Sequence, residues 1–338
     1  MTSPAAKTAG LSIDKEDEMS SKTIAAIAIC LSAGFALADA VQITEENDLF
    51  DFFHKNDNQY TQGANISYVR PYVASNGCLE REIYGMSQKI YTPNNTSANY
   101  FQPNDRPYCA TLTGVYELWT KGSLFDSETV RQTYEMGVMG PEAMGEEAQN
   151  GVHSLLSKMG RPNDPAMGWQ YQMKNEPVVN YYHERYATMY DAKDDAKWEF
   201  NVEAIYGGTA GTEFVNSFVG TKVMFGYNLP QYKVLGGIYP KEMSNGAIES
   251  KTSWFYYGFL QCKDIVVVRD ATLGQSDWYG QESGIQPYPM VGEFLGGVVV
   301  GWDWISLSYG IGDRTKQFVG EHGPFDWGQV ILTIGTTF

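Results

Sequence analysis

The sequence predicts an all-β protein, a 12-stranded antiparallel transmembrane β-barrel with a short helix in an extracellular loop. The last residues alternate most clearly, because Val330, Leu332, Ile334, Thr336 and Phe338 stand at every second position and would point one way. Similar aromatic-rich runs of about ten residues, the length of a tilted membrane strand, recur along the chain. The 23 Tyr, 16 Phe and 8 Trp can supply aromatic girdles at both membrane interfaces.

The alternating segments number 12 or 13, depending on how one region is divided. Bacterial barrels have an even number of strands, so we expect 12, with a single strand that the pattern splits within Ser253–Leu273. The final segment ends in Phe338 and resembles the terminal strand of outer-membrane barrels. The segments are Val41–Asp48, Tyr60–Tyr72, Glu82–Thr92, Cys109–Lys121, Glu128–Val138, Pro177–Tyr190, Lys197–Gly208, Glu213–Tyr227, Ser253–Cys262, Ile265–Leu273, Met290–Gly301, Trp304–Gly312 and Gln329–Phe338.

The N-terminal region predicts export. Lys22 precedes the apolar stretch Ile24–Leu37, and Ala38-Asp39-Ala40 offers a small-x-small cleavage site, so residues 19–38 are interpreted as a signal peptide. Residues 1–18, with an acidic run, are interpreted as an upstream extension, and residues 39–338 as the barrel. A soluble β-sandwich would also alternate, but 35 Gly and the aromatic content behind a signal peptide favour the barrel.

Charge and cysteine content narrow the function. Residues 39–338 carry 36 acidic and 21 basic side chains, which argues against nucleic acid as a partner because phosphate binding needs a basic surface. Cys78, Cys109 and Cys262 are an odd number and are therefore not a disulfide framework. The chain lacks a G-x-S-x-G elbow, a zinc-type His pair and a phosphate loop, so a serine hydrolase of the usual fold finds no support.

Long polar connections indicate the extracellular side of the barrel. They are Asn94–Asn104, Gly140–Asn175, Tyr239–Ser250 and Gly274–Pro289.

The longest connection, residues 139–176, contains a predicted helix. After Gly145, Ala148, Val152 and Leu155 recur at the spacing of one apolar face. His153, one of four histidines, shares a neighbouring stripe with Gln149. The ordinary pKa of histidine, about 6.5, suits a general base. A plain polar position on a loop helix and a lipid-phosphate contact are equally compatible with the pattern.

A second candidate cluster lies in the first predicted hairpin. Its strands would bring Asn47, Asp48 and Thr61 together at one end of the barrel. Carboxylate, amide and hydroxyl oxygens suit a hard cation such as Ca²⁺. Composition alone also fits Asn and Asp that merely cap a strand and form a turn.

Several ordered motifs resemble those of the outer-membrane lipid A 3′-O-deacylases, from about Glu45 to Phe338 and most densely before Pro177. The motifs are Glu46-Asn-Asp48, Tyr60-Thr-Gln-Gly63, Asn104-Asp-Arg-Pro-Tyr108, Met139-Gly-Pro141, Gly145 with Gln149-Asn150 and His153, Gly168-Trp169, Asn175-Glu-Pro177 and, more loosely, Asp313-Arg-Thr-Lys-Gln-Phe318.

The resemblance implies a 12-stranded barrel in the outer membrane of a Gram-negative cell, with its active site between the wall and a loop helix. Its functional residues correspond by motif to Asn47, Asp48, Thr61 and His153. It implies hydrolysis of the 3′-acyloxyacyl ester of lipid A, in which His activates a water and Ca²⁺, held here by Asn47 and Asp48, stabilises the oxyanion. A family lysine that contacts a lipid A phosphate would fall around Ala98, where this chain has none.

The expected partners are lipopolysaccharide as substrate and outer-membrane lipids, with a monomeric protein and no nucleic acid. Two alternatives remain at this stage. One is a phospholipase or another outer-membrane lipid esterase, and the other is a non-enzymatic pore or adhesion barrel.

Overall fold

In a computed structural model, the alternating segments form twelve strands that close into one antiparallel barrel. The structure describes residues 40–335 except 48–49, 51–58, 74–78, 125–127, 159, 161–164, 196, 230–253, 275–282, 303–304 and 323–324. The predicted signal peptide and Cys78 lie outside the described residues. The strands are β1 Ala40–Asn47, β2 Gln59–Val73, β3 Leu79–Thr92, β4 Cys109–Lys121, β5 Glu128–Met139, β6 Glu176–Lys193, β7 Trp198–Gly211, β8 Phe214–Tyr227, β9 Trp254–Asp270, β10 Met290–Trp302, β11 Ile305–Arg314 and β12 Phe325–Gly335.

The predicted strand number is confirmed, including the division within residues 253–273, which is the single strand β9. Closure is made by β1, which pairs with β2 along one edge and with β12 along the other. The last strand begins at Phe325, four residues before its predicted start, and residues 336–338 lie outside the described part. Within the described ranges, no helix is long and apolar enough to cross a membrane.

Strand order divides the connections between two ends of the barrel. The loop end carries the connections after odd-numbered strands, including the long β3–β4, β5–β6 and β9–β10 connections, as predicted. The expectation for Tyr239–Ser250 was wrong, because β8 and β9, which flank it, end and begin at the opposite, turn end. Loop length suggested that this connection lies on the extracellular side. The end of the barrel at which a connection lies is fixed instead by whether it follows an odd-numbered or an even-numbered strand. Residues 239–250 themselves lie outside the described residues.

Charged side chains cross the lumen in an unbroken sequence of ion pairs. Arg131 contacts Glu117 at 2.6 Å and Glu184 at 2.8 Å. Lys263 then joins Glu184 at 3.4 Å to Glu293 at 3.9 Å, and Arg314 contacts Glu293 at 2.6 Å. Buried charges of alternating sign neutralise one another and avoid the cost of an unpaired ion. The lumen is therefore filled by polar side chains, with cavities of about 410 and 340 Å³ between them.

Candidate active site

One helix, α1 (Gly145–Lys158), lies in the β5–β6 connection and packs on β3 and β4. The connection begins at Gly140, whose φ of 102° favours glycine and whose N–H donates to the carbonyl of Ala110 on β4 at 2.9 Å. A 3₁₀ turn, Pro141–Ala143, follows, and Gln88 of β3 donates to the carbonyl of Ala143 at 2.6 Å. These bonds fix the start of α1 against the outer wall.

A small apolar cluster lies beneath α1 and explains several of the sequence motifs. Gly145 approaches Ala110 and Trp169 so closely that a Cβ would overlap both. Gly168 has equally little room beside the ring of Tyr108. The buried members of the cluster are Ile90, Tyr108, Ala110, Ala143, Ala166 and Trp169. The Gly145 and Gly168-Trp169 motifs therefore seat the helix on the wall.

The buried face of α1 is not the predicted apolar one. Ala148 packs partly against the cluster, but Val152 and Leu155 are 38% and 57% exposed. The buried residues are Gly145, Gln149 and His153, the polar stripe beside the predicted one. Periodicity identifies the two faces of a helix but not which faces the wall, and here the close contact at Gly145 decides it.

His153 and Gln149 are buried on the packed side of α1. His153 is only 7% exposed and Gln149 only 2%. Trp169 Nε1 donates to Gln149 Oε1 at 2.9 Å, whereas Gln149 Nε2 is buried with no hydrogen-bond partner in the described part of the chain. The amide can therefore donate to an oxygen that enters between helix and wall. The only sequence signal for a role of Gln149 is its four-residue spacing from His153, which puts both residues on one stripe of the helix.

Asn47 and Thr61 lie near each other in the strand register at the loop end of the first hairpin. Asn47 ends β1 and pairs with Gln62, the residue after Thr61. A β-bulge between Tyr60 and Gln62 leaves Thr61 out of the β3 register. Thr61 is 4% exposed, and its hydroxyl shares a 2.7 Å hydrogen bond with that of Thr92 on β3.

These residues lie on the outer face of the barrel. Glu46, Tyr60 and Gly63 line the lumen. By alternation Asn47 faces outward, and the bulge turns both Thr61 and Gln62 outward. They therefore occupy the same face and end of the barrel as α1, which packs on the adjacent strand β3. Asp48 lies outside the described residues.

The predicted cation ligands remain a prediction. No group of three or more His, Cys, Asp or Glu is placed to hold a metal among the residues described, a set that lacks Asp48. An Asn47 amide oxygen, an Asp48 carboxylate and the Thr61 hydroxyl are all hard oxygen donors, which fits Ca²⁺ chemically.

Ala98, at the position of the expected family lysine, is buried, and its carbonyl faces Gly168. It thus forms part of the packing beside the helix loop. The remaining described histidines do not join the site. His183 lies on β6, where it contacts Tyr181 at 3.2 Å and Arg185 at 3.1 Å, and His322 lies in the β11–β12 connection.

A buried acidic residue lies at the loop end of the barrel. Glu213, in the tight β7–β8 turn, is buried and accepts a 2.9 Å hydrogen bond from Asn180. Burial raises the pKa of Glu213 to about 7, with nearby Lys89 opposing the rise and Glu135 adding to it. Lys89 is itself paired with Glu135 at 3.4 Å.

Comparison with known proteins places the chain in one family. A model of the family described as outer membrane protein LpxR matches residues 23–336. The solved structure of LpxR from Salmonella typhimurium is 19% identical, covers 87% of this chain and 99% of its own, and aligns with a TM-score of 0.69, which supports the fold. The β domain of the Bordetella autotransporter BrkA covers 89% of this chain and 99% of its own at 9% identity, but its TM-score of 0.38 is too low to indicate the same fold.

No curated protein matches the chain. The closed 12-stranded barrel and the family match together assign the protein to the outer membrane. Because the family model spans the whole barrel, the chain belongs to the LpxR outer membrane protein family.

Proposed function

We propose that the protein is a lipid A 3′-O-deacylase, which hydrolyses the 3′-acyloxyacyl ester of lipid A with water as acceptor. The observation that carries this proposal is a buried histidine, His153, on a helix that packs on the outer wall, at the end where Asn47 and Thr61 also face outward. A site on the outer wall meets lipids directly from the membrane. A substrate with acyl chains can therefore reach it without passing through the lumen.

In this mechanism His153 takes a proton from the attacking water. Gln149 Nε2 can donate to a substrate oxygen, because it is buried and has no other hydrogen-bond partner among the described residues. Asn47 and Asp48 would hold Ca²⁺, which supplies positive charge to the oxyanion when it is bound. The Thr61 hydroxyl, already fixed by Thr92, orients polar groups at the wall side of the site.

The lumen argues against the pore alternative. Ion pairs connect side chains of β4, β5, β6, β9, β10 and β11 across the barrel, so paired charged side chains occupy much of the lumen that a pore would need to keep open. Larger porins have more strands and a water-filled lumen.

The test is mass spectrometry of lipid A after incubation of lipopolysaccharide with the purified protein folded in detergent, with Ca²⁺ or with a chelator. Loss of the 3′ acyl chain only with Ca²⁺ is expected. Asp48→Ala should abolish or strongly reduce turnover, and Thr61→Ala should do less, because a carboxylate carries most of the charge of such a site. Full turnover in saturating chelator would refute the cation, and release of fatty acid from phospholipid alone would favour the phospholipase alternative.

A further inference from the structure

We propose that Glu46 and Tyr60, whose side chains lie in the lumen, are positioning residues for Asn47 and Thr61 on the outer wall. The proposal rests on the deacylase function proposed above and names residues that this function did not use. Each lumen residue directly precedes an outward site residue in the chain. A constraint on one side of the strand is therefore transmitted to the other side through a single peptide unit.

Glu46 ties the end of β1 to both neighbouring strands. The Tyr60 hydroxyl on β2 donates to one carboxylate oxygen of Glu46. Gln329 Nε2 on β12 donates to the other oxygen at 2.5 Å. The two hydrogen bonds come from different strands, so the end of β1 is held from both sides. Asn47, the next residue, takes its position from this anchor.

Tyr60 is held in turn by an aromatic cluster. Its ring centroid lies 5.4 Å from that of Tyr91, 5.5 Å from Phe325 and 6.2 Å from Trp327. A Cβ on Gly63 would occupy the position of the Tyr60 hydroxyl and would also approach the Glu46 carboxylate. Glycine at position 63 therefore makes room for the Tyr60–Glu46 hydrogen bond. This contact explains three motif residues by one structural role. Glu46 belongs to the first motif, and Tyr60 and Gly63 belong to the second.

The anchored Tyr60 explains the bulge at Thr61. Tyr60 pairs with Tyr91, and Gln62 pairs with Ile90, so the extra residue between them is Thr61. A bulge redirects a side chain and costs ladder hydrogen bonds, so it persists where the surroundings hold it. Here the Tyr60–Glu46 bond fixes the lumen side, and the Thr61–Thr92 bond fixes the outer side. Loss of the first should let the strand relax and move the Thr61 hydroxyl.

A second tyrosine–glutamate hydrogen bond in the lumen provides a matched control, because it tests whether loss of such a bond affects activity only by destabilising the barrel. Tyr182 on β6 donates to Glu135 on β5 at 2.7 Å, which is also a tyrosine–glutamate bond inside the lumen. Its outward neighbours, Tyr181 and His183, are not site residues. Tyr182→Phe therefore removes the same kind of bond as Tyr60→Phe without a connection to Asn47 or Thr61.

The experiment compares Tyr60→Phe, Tyr182→Phe, Thr61→Ala and the Tyr60→Phe/Thr61→Ala double variant, each folded as the full chain in detergent. For Tyr60→Phe we expect kcat on lipopolysaccharide to fall about tenfold with little change in KM, the loss corresponding to one hydrogen bond. Tyr182→Phe should keep wild-type kcat. In the Thr61→Ala background, Tyr60→Phe should have little further effect, because residues that act through one another are not additive.

Calorimetric titration with CaCl₂ alone gives a readout that does not depend on turnover. Tyr60→Phe should weaken calcium binding severalfold, because Asn47 loses its anchor, and Tyr182→Phe should not. Equal effects of the two Tyr→Phe variants on kcat and on calcium binding would overturn the proposal, as would full additivity in the double variant. If Tyr60→Phe does not fold, Glu46→Gln carries the same comparison, because it removes the charge and keeps the side-chain shape. Wild-type protein that leaves lipopolysaccharide intact refutes the proposed function instead, and the calcium comparison still tests the positioning.

Discussion

At the scale of single residues, the site combines side chains that are unusual for their surroundings. His153 is a polar residue on the packed face of a loop helix, while apolar Val152 and Leu155 are exposed. A sequence optimised only for packing would place them the other way round. The burial of a polar residue beside exposed apolar residues therefore indicates that α1 has a functional role and is not only a packing element.

His153→Ala and His153→Asn are expected to reduce the rate of ester hydrolysis by roughly 10²–10⁴-fold, the usual contribution of a positioned general base. The barrel should remain folded, because α1 lies outside the strand ladder. Rates and the heat-dependent shift in gel mobility are the measurements. A folded His153→Ala protein that still removes the 3′ acyl chain at the wild-type rate would contradict the assignment.

Glu213 gives a pH-dependent prediction on stability. Its pKa is raised from 4.5 to about 7 by burial, so the folded state retains this proton to higher pH than the unfolded state does. Stability from this group is complete below about pH 4.5 and is lost as pH rises through 7, by as much as about 3 kcal/mol.

Glu213→Gln, which stays neutral, should therefore raise the unfolding temperature at pH 8.5 and leave it nearly unchanged at pH 4.5. The exposed Glu142→Gln is the control and should change neither value. A Glu213→Gln variant that is stabilised equally at both pH values would rule out this titration.

At the scale of elements, the fit of α1 to the wall depends on one glycine. Gly145→Ala puts a methyl group where the side chains of Ala110 and Trp169 already lie, so the helix must shift from the wall. Gly151, in the same helix, has nothing near its missing Cβ, so Gly151→Ala should be neutral or stabilise the helix by up to about 1 kcal/mol.

We expect Gly145→Ala to lower kcat at least tenfold and to increase proteolysis of the β5–β6 loop, while Gly151→Ala does neither. Both variants should retain the β-rich circular dichroism of the barrel. Similar activity of the two variants would show that the close contact at Gly145 does not set the helix position.

At the scale of the whole molecule, a buried arginine joins segments that are far apart in the sequence. Arg106 donates to Gln59 at 2.8 Å, to Thr272 at 2.9 Å and to Gln317 at 2.8 Å, so three connections and the start of β2 meet at the loop end. Its guanidinium also lies 5.2 Å from the ring centroid of Tyr91. The Asn104-Asp-Arg-Pro-Tyr108 motif is thus explained by closure of the barrel mouth.

Arg106→Ala leaves three buried acceptors without their donor, and we expect it to destabilise the protein by about 3 kcal/mol. Arg70→Ala, at an exposed position on β2, should change stability by less than about 0.5 kcal/mol. Denaturant unfolding followed by tryptophan fluorescence measures both. Equal midpoints would show that the loops hold together without Arg106.

The sequence by itself determined what depends on neighbours along the chain. Period-two alternation located the strands, and the even-number rule resolved β9 as one strand. The hairpin relation of Asn47 to Thr61 also followed, because the two strands are consecutive. The helix was predicted from local composition, and its polar stripe of Gln149 and His153 from a four-residue spacing.

Only the tertiary structure decided what depends on long-range contacts. Alternation shows that a strand has two faces but not which face is the lumen, since both faces here carry aromatic and polar side chains. The buried face of α1 is set by the close contact of Gly145 with Ala110 and Trp169. Both of these residues lie outside the helix, so the periodicity of the helix alone does not reveal the contact. The Glu46–Gln329 and Arg106–Gln317 hydrogen bonds join residues 283 and 211 positions apart, so no local pattern encodes them. The first of these bonds depends on the pairing of β1 with β12, which brings the two ends of the barrel sequence together.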